Sequence, residues 1–283
     1  MSDNRPRSLD RKFALIAPIV VGAAAVMVVV LLLTRPTAVA PPPAAPSPPP
    51  VIAAPPAKPV AVAVRADLIA AGAKAADAYA RGAGEGDGDS RDLVGRRFAL
   101  RLAFGCAGAV ADPGPAQAYY QYDPAGPALK LVARPADWTD LPLVRAASAA
   151  AKAETVEGFW IPRPWLTDES CPRRRAVAPP ATPTPVEAPS LGLAMFHAAE
   201  ASRVDRRGQR AYEQVIKLDA AKPAPERAFK LVLEGRVVGF ADGAAVHCWA
   251  ESAEHRPTCL YAVELDRVAF EDANGAVLAD WPR

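Results

Sequence analysis

The sequence predicts a single-pass transmembrane helix followed by a mainly-β extracytoplasmic region, an antiparallel meander or barrel-like fold with a short helix before it. Three observations carry this. Phe13 to Leu33 reads FALIAPIVVGAAAVMVVVLLL without a charged residue. As a helix that stretch covers roughly 30 Å, the hydrocarbon thickness of a bilayer. Beyond it, short runs of alternating apolar and polar residues are separated by turn pairs such as Asp242-Gly243 and Asn274-Gly275, the pattern of strands and hairpins. All four cysteines, Cys106, Cys171, Cys248 and Cys259, also lie beyond the span.

Residues 1–12 form a short stub carrying Arg5, Arg7, Arg11 and Lys12, whereas only Arg35 follows the span closely. Basic residues stay on the cytoplasmic side, so the N-terminus is expected in the cytoplasm and the bulk of the chain in the periplasm. A cleaved signal peptide is the competing reading, with Ala38-Val39-Ala40 as its cleavage site. The apolar stretch is longer than the roughly 7–15 residues of a signal h-region, however, and Pro41 would follow the cut directly. The expected location is therefore the inner membrane, with the lipid bilayer as a partner through 13–33. The span holds no Ser, Thr, His, Asp or Glu, so it reads as a passive tether.

Residues 34–64 are a Pro-rich linker, including Pro41-Pro42-Pro43 and Pro48-Pro49-Pro50. Proline lacks the amide donor of helix and sheet and favours extended polyproline II, a stiff spacer. Residues 65–171 are expected as one subdomain, 172–190 as a Pro-rich loop or linker, and 191–283 as a second, antiparallel β subdomain. Whether these make one domain or two stays open at this point. Arg65 to Arg81 is Ala-rich and reads as a helix. The Gly-Asp run at 82–89 places Asp87 and Asp89 like the start of a calcium loop, but Arg91 and Phe98 fall where ligands are required, so it reads as a connector. Strands are expected at 97–104, 119–122, 128–133 and 156–161. Phe159, Trp160 and Trp165 among Pro162 and Pro164 suit either a recognition groove or an edge packed on its own core.

Further strands are expected at 191–197 and 212–218, with a polar link holding Arg203, Arg206, Arg207 and Arg210. The last quarter reads as a meander over 229–240, 244–250, 258–271 and 276–281. A two-residue loop at 274–275 pairs Phe270 with Ala279 and Val268 with Trp281. It sets Val268, Phe270, Val277, Ala279 and Trp281 on one face, with Glu271 and Asp280 on the other. The loop at 242–243 pairs Val237 with Cys248 and Gly239 with Val246. An oxidising compartment makes two disulfides the expectation. Three pairings are possible, and the layout favours Cys106 with Cys171 and Cys248 with Cys259.

The net charge is +2, and the first 35 residues supply five basic against two acidic side chains. The exterior part is close to neutral, which argues against nucleic-acid binding. His247, Cys248, His255 and Cys259 are the one dense group of metal-ligand types. His247 and Cys248 are strand neighbours pointing to opposite faces, and oxidised thiols are not ligands, so no metal site and no cofactor are expected. GxSxG, HExxH, Walker A and GxGxxG are absent from the sequence, and Ser170 has no histidine near it in sequence. The layout of stub, span, Pro-rich stalk and small β-rich end is similar to that of TonB-like energy transducers. The span lacks their polar coupling residues and the stalk lacks their Glu-Pro and Lys-Pro repeats, so the similarity is one of layout. The expected role is a non-enzymatic periplasmic module contacting a cell-envelope partner, whether protein, peptidoglycan or outer membrane. The alternatives are a periplasmic enzyme or small-ligand binder built from distant residues, and a metal or redox sensor using the His-Cys group.

Overall fold

The computed structural model describes residues 61–83, 89–173, 188–200, 206–208, 210–219 and 228–283. The expected span at 13–33, the stub and nearly all of the linker lie outside them, as do Asp87 and Arg203. Among the described residues no helix is long and apolar enough to cross a membrane. The described part is mainly β, with two sheets and few helices.

Helix α1 spans Arg65–Ala80. Its Ala-rich sequence is a strong helix former, and the Asp67 carboxylate accepts the Val64 N–H at 3.0 Å, satisfying one donor at the start. At the other end Gly82, at φ +70°, and Ala83 donate back to Tyr79 and Ala78, closing the last turn in a Schellman pattern. Leu68, Ile69 and Gly72 form its buried face. Helix α2, Pro142–Ala151, starts on a proline, whose missing N–H is no loss in the first turn.

The larger sheet runs β1 (Arg97–Phe104), β8 (Phe229–Val237), β10 (Thr258–Glu271), β6 (Leu191–Ala198), β5 (Ala153–Trp160), β4 (Ala136–Asp137), with β9 (Val246–Trp249) and β11 (Val277–Pro282) also on β10. The smaller sheet is β2 (Ala118–Asp123), β3 (Ala128–Ala133), β7 (Tyr212–Lys217). β10 is the spine. Its first residues pair with β9 and, in parallel, with β6; Val263 to Glu271 pair with β8, and Arg267 to Glu271 also with β11. Strands from before and after 172–190 therefore share one sheet, with β8, β10 and β6 lying between β1 and β5, so that run does not separate two sheets. Residues 58–283 form one compact unit.

Two features of the expected meander differ, while its β9–β10 pairing holds: Cys248 faces Cys259, and with it Val246 faces Tyr261, as the layout of the two strands implies. The first difference is that β9 does not pair with β8, and Val237 faces Val263 instead of Cys248. The Asp242-Gly243 turn is closed locally by Phe240 and Ala244 and does not propagate a hairpin. In the last hairpin Val268 faces Trp281 and Phe270 faces Ala279, but a bulge sets Val277 opposite Glu271. Val277 is consequently 53% exposed rather than on the core face. Glu271, inside the sheet's edge, forms an ion pair with Arg101 at 2.9 Å.

One core lies between the sheets and α1. Phe98, Leu100, Leu102 and Phe104 alternate inward from β1 and meet Phe229, Phe270 and Tyr120, with ring centroids 5.1–5.8 Å apart. A second cluster, under α2, centres on Trp138. Its indole lies over Gly158 and Gly192, where a Cβ would come within 1.9 Å and 2.7 Å of the ring. Only glycine leaves room for it.

Candidate functional site

Among the described residues the larger sheet runs open from β1 to β4, and the seam between its ends is the most distinctive surface. β1 pairs with β8 on one side only. On the other side Ala63 donates to Arg97 O and accepts from Ala99 N–H, at 2.8 and 2.9 Å. Further along, the Arg163 Nη2 donates to Ala103 O at 2.7 Å. β5 is covered by the short β4 as far as Gly158. Beyond that, the Gln117 side-chain amide takes over: its Nε2 donates to Gly158 O and its Oε1 accepts from Trp160 N–H, both at 2.7 Å. A side-chain amide thus replaces one peptide unit of a neighbouring strand, satisfying an edge that would otherwise lack partners.

Arg65 locks the seam. This first residue of α1 is 3% exposed, and its guanidinium donates to the carbonyls of Leu166, Pro162 and Arg163 at 2.8, 2.6 and 3.0 Å. Arg163 itself sits at φ +52°, a left-handed conformation unfavourable for a residue with a Cβ. Burial, and secondarily the positive Arg163, lowers the pKa of Arg65, with Glu169 and Asp168 opposing. Burial lowers that of Arg163. Both stay charged, as arginine does throughout the physiological range. Among the described residues neither forms an ion pair.

Between these edges opens a cleft of about 570 Å³, with Phe159, Trp160, Trp165, Pro162, Arg163 and Tyr119 in its wall. Trp160 is backed by Trp138, ring centroids 4.3 Å apart, whereas Trp165 is 62% exposed. The aromatic-proline run is therefore partly edge packing and partly cleft wall. The Cys106–Cys171 disulfide, Cα atoms 5.4 Å apart, ties the loop after β1 to the segment following Trp165. The other disulfide, Cys248–Cys259, lies across directly opposed residues of β9 and β10. All four cysteines are consumed, as an oxidising, extracytoplasmic compartment allows.

Two other polar sites stand apart from the cleft. His247 Nε2 lies 3.1 Å from both oxygens of Asp242, with its ring stacked on Phe240 at 3.9 Å, beside a hollow of about 340 Å³. Burial raises the Asp242 pKa, but the Ala244 N–H and His247 outweigh it and hold the carboxyl below its usual range. No Ser, Thr or free Cys borders that hollow among the described residues. On the far side of β5, the buried Glu157 accepts the backbone N–H groups of Arg207 and Gly208 and has His197 Nε2 at 3.8 Å. Arg207 in turn stacks over Tyr212 at 4.1 Å, so this carboxylate fastens 206–208 to the sheet. Among the described residues no three His, Cys, Asp or Glu side chains converge as metal ligands.

Sequence reasoning flagged the cysteines, Trp160 and Trp165. It did not flag Arg65, Gln117 or Arg163. Each acts on backbone 40 to 100 residues away, and a lone Gln or Arg carries no periodic signal. No protein family, curated protein or solved structure matches the chain.

Proposed function

We propose that this chain is a tethered, non-catalytic binding module of the cell envelope. In particular, residues 13–33 hold it in the inner membrane, the Pro-rich 34–64 spaces it from the bilayer, and the periplasmic unit engages an envelope component through the seam cleft. One observation carries the reading. The cleft is walled mostly by aromatic, proline and aliphatic side chains, and among its described lining residues there is no carboxylate, histidine, serine, threonine or free thiol. A concave apolar wall with few polar groups suits binding; general acid–base chemistry needs a proton-transfer pair that this wall lacks. The disulfides fit the oxidising location.

The test is photocrosslinking in intact cells. A benzophenone amino acid in place of Trp165 should capture a discrete envelope component, and the same group in place of exposed Val277 should not. Identical products at both positions, or none at either, would remove the cleft from the account. The alternative, an extracytoplasmic enzyme or small-ligand binder, is favoured only by the His247–Asp242 pair beside its hollow. Hydrolysis of an activated-ester panel that is unchanged by His247→Gln would end its enzymatic form.

A further inference from the structure

We infer that the seam cleft binds a single-chain amphipathic anion, its acid head at the Arg163 guanidinium and its alkyl chain along Phe159, Trp160 and Trp165. This rests on the cleft being the binding site. Four observations lead to it.

The first is the charge balance. Arg163 is close enough to disfavour the charge of Arg65, against the opposing Glu169 and Asp168, burial disfavours that of Arg163, and among the described residues neither has a carboxylate within ion-pair distance. Arg65 already donates through its Nε and Nη2 to three carbonyls, while its charge persists. Arg163 donates to Ala103 O, and its Nε is buried without a hydrogen-bond partner. A partly buried cation left so under-compensated is stabilised by an incoming anion. Asp168 and Glu169, the acids that act on Arg65, lie outside the cleft lining, and Asp168 accepts the Ser170 N–H.

The second is backbone conformation. At φ +52° position 163 would suit glycine or asparagine if only the turn mattered. Position 163 carries arginine at a conformational cost, and such outliers gather at ligand sites. The third is the wall. A compact inorganic anion would leave its aromatic surface unused, and a plain hydrocarbon would cover Arg163 without pairing it. An amphipathic anion meets both surfaces, and about 570 Å³ lies within the usual range for small-molecule sites. The fourth weighs against a peptide carboxyl terminus. Its peptide N–H and C=O groups would need partners, and the Gln117 amide is already engaged by β5.

The experiment uses the full chain in nanodiscs of zwitterionic lipid, labelled with a diazirine analogue of dodecanoate and mapped by mass spectrometry. Label is expected on peptides containing Phe159 to Trp165, competed by dodecanoate well ahead of dodecanol and dodecyltrimethylammonium. Arg163→Gln should weaken competition about tenfold, the loss of one charge-assisted contact, and Arg163→Lys should restore part of it. Should Arg163→Gln lose its near-UV signal, Trp165→Ala, which leaves the arginine contacts intact, is expected to weaken the label instead. Equal competition by dodecanol would overturn the anion while leaving a binding cleft. Competition by phosphatidylglycerol in the disc as strong as by dodecanoate would overturn the single-chain ligand. Label absent from the cleft would overturn both this inference and the binding role it rests on.

Discussion

Gly158→Ala is the sharpest structural perturbation. The new Cβ would lie 1.9, 2.3 and 2.4 Å from three atoms of the Trp138 ring, against about 3.5–4.0 Å for carbon atoms in contact. Gly158 belongs to β5, held by β4, β6 and Gln117, so the strand cannot retreat and the indole must lift. Trp138 is 3% exposed. A tryptophan buries about 150–250 Å², worth about 4–6 kcal/mol at about 25 cal/mol per Å². Less about 1 kcal/mol gained by removing a strand glycine, the expected loss is about 3–5 kcal/mol. For a unit of this size that lowers Tm by roughly 10 °C. Urea unfolding followed by far-UV circular dichroism measures it, and the Trp138–Trp160 exciton signal should collapse. Gly126→Ala, whose nearest neighbour is Asp123 Oδ2 at 3.7 Å, is the control and should be near neutral. Adding Trp138→Leu to Gly158→Ala should cost less than the sum of the single changes. A Gly158→Ala protein within about 0.5 kcal/mol of wild type would refute the packing argument.

Other outcomes follow from the same contacts. Gln117→Glu keeps an acceptor for Trp160 N–H but sets an oxygen against Gly158 O, so hydrogen exchange at Trp160 should accelerate and stability fall by about 1–3 kcal/mol; unchanged exchange would show that the β5 edge does not depend on it. Glu157→Ala strands the Arg207 and Gly208 N–H groups and should cost about 1–3 kcal/mol, read as faster proteolysis near 206–208, with unaltered cleavage as the contrary result. Replacing Cys106 and Cys171 with alanine opens a separation of 65 residues, against 11 for Cys248 and Cys259. Chain entropy puts these losses at about 4 and about 3 kcal/mol, and a larger loss for the short loop would contradict that ordering. Burial raises the Tyr261 pKa while its hydroxyl donates to Leu68 O. The folded state therefore favours the protonated phenol, and that share of stability is full below about pH 10 and lost as pH rises above it. Tyr261→Phe should flatten this alkaline decline; an identical decline would assign it elsewhere.

Much of the strand content was legible because its causes are local. Leu100, Leu102 and Phe104 alternate with Arg101 and Ala103 on a two-residue period, and Asn274-Gly275 turns the last hairpin. What stayed illegible depends on partners distant in sequence. The parallel pairing of β6 with β10 brings Leu191 to Cys259, and no local pattern marks it. The bulge that turns Val277 outward is a single-residue choice at a turn, below the resolution of a hydrophobic pattern. Of the cleft, the aromatic-proline run and the two cysteines were visible. Arg65, Gln117 and Arg163, which define its edges, were not, because each bonds to backbone whose position only the fold determines.

The Cys106–Cys171 disulfide pins the cleft, and the proposed extracytoplasmic location requires it to be oxidised in the cell. The full chain should therefore be extracted from cells, denatured without reductant, alkylated and mapped by mass spectrometry. The expected result is no alkylated cysteine and linked peptides joining Cys106 to Cys171 and Cys248 to Cys259. Four alkylated thiols would place the chain in a reducing compartment and contradict the tethered periplasmic module at its foundation.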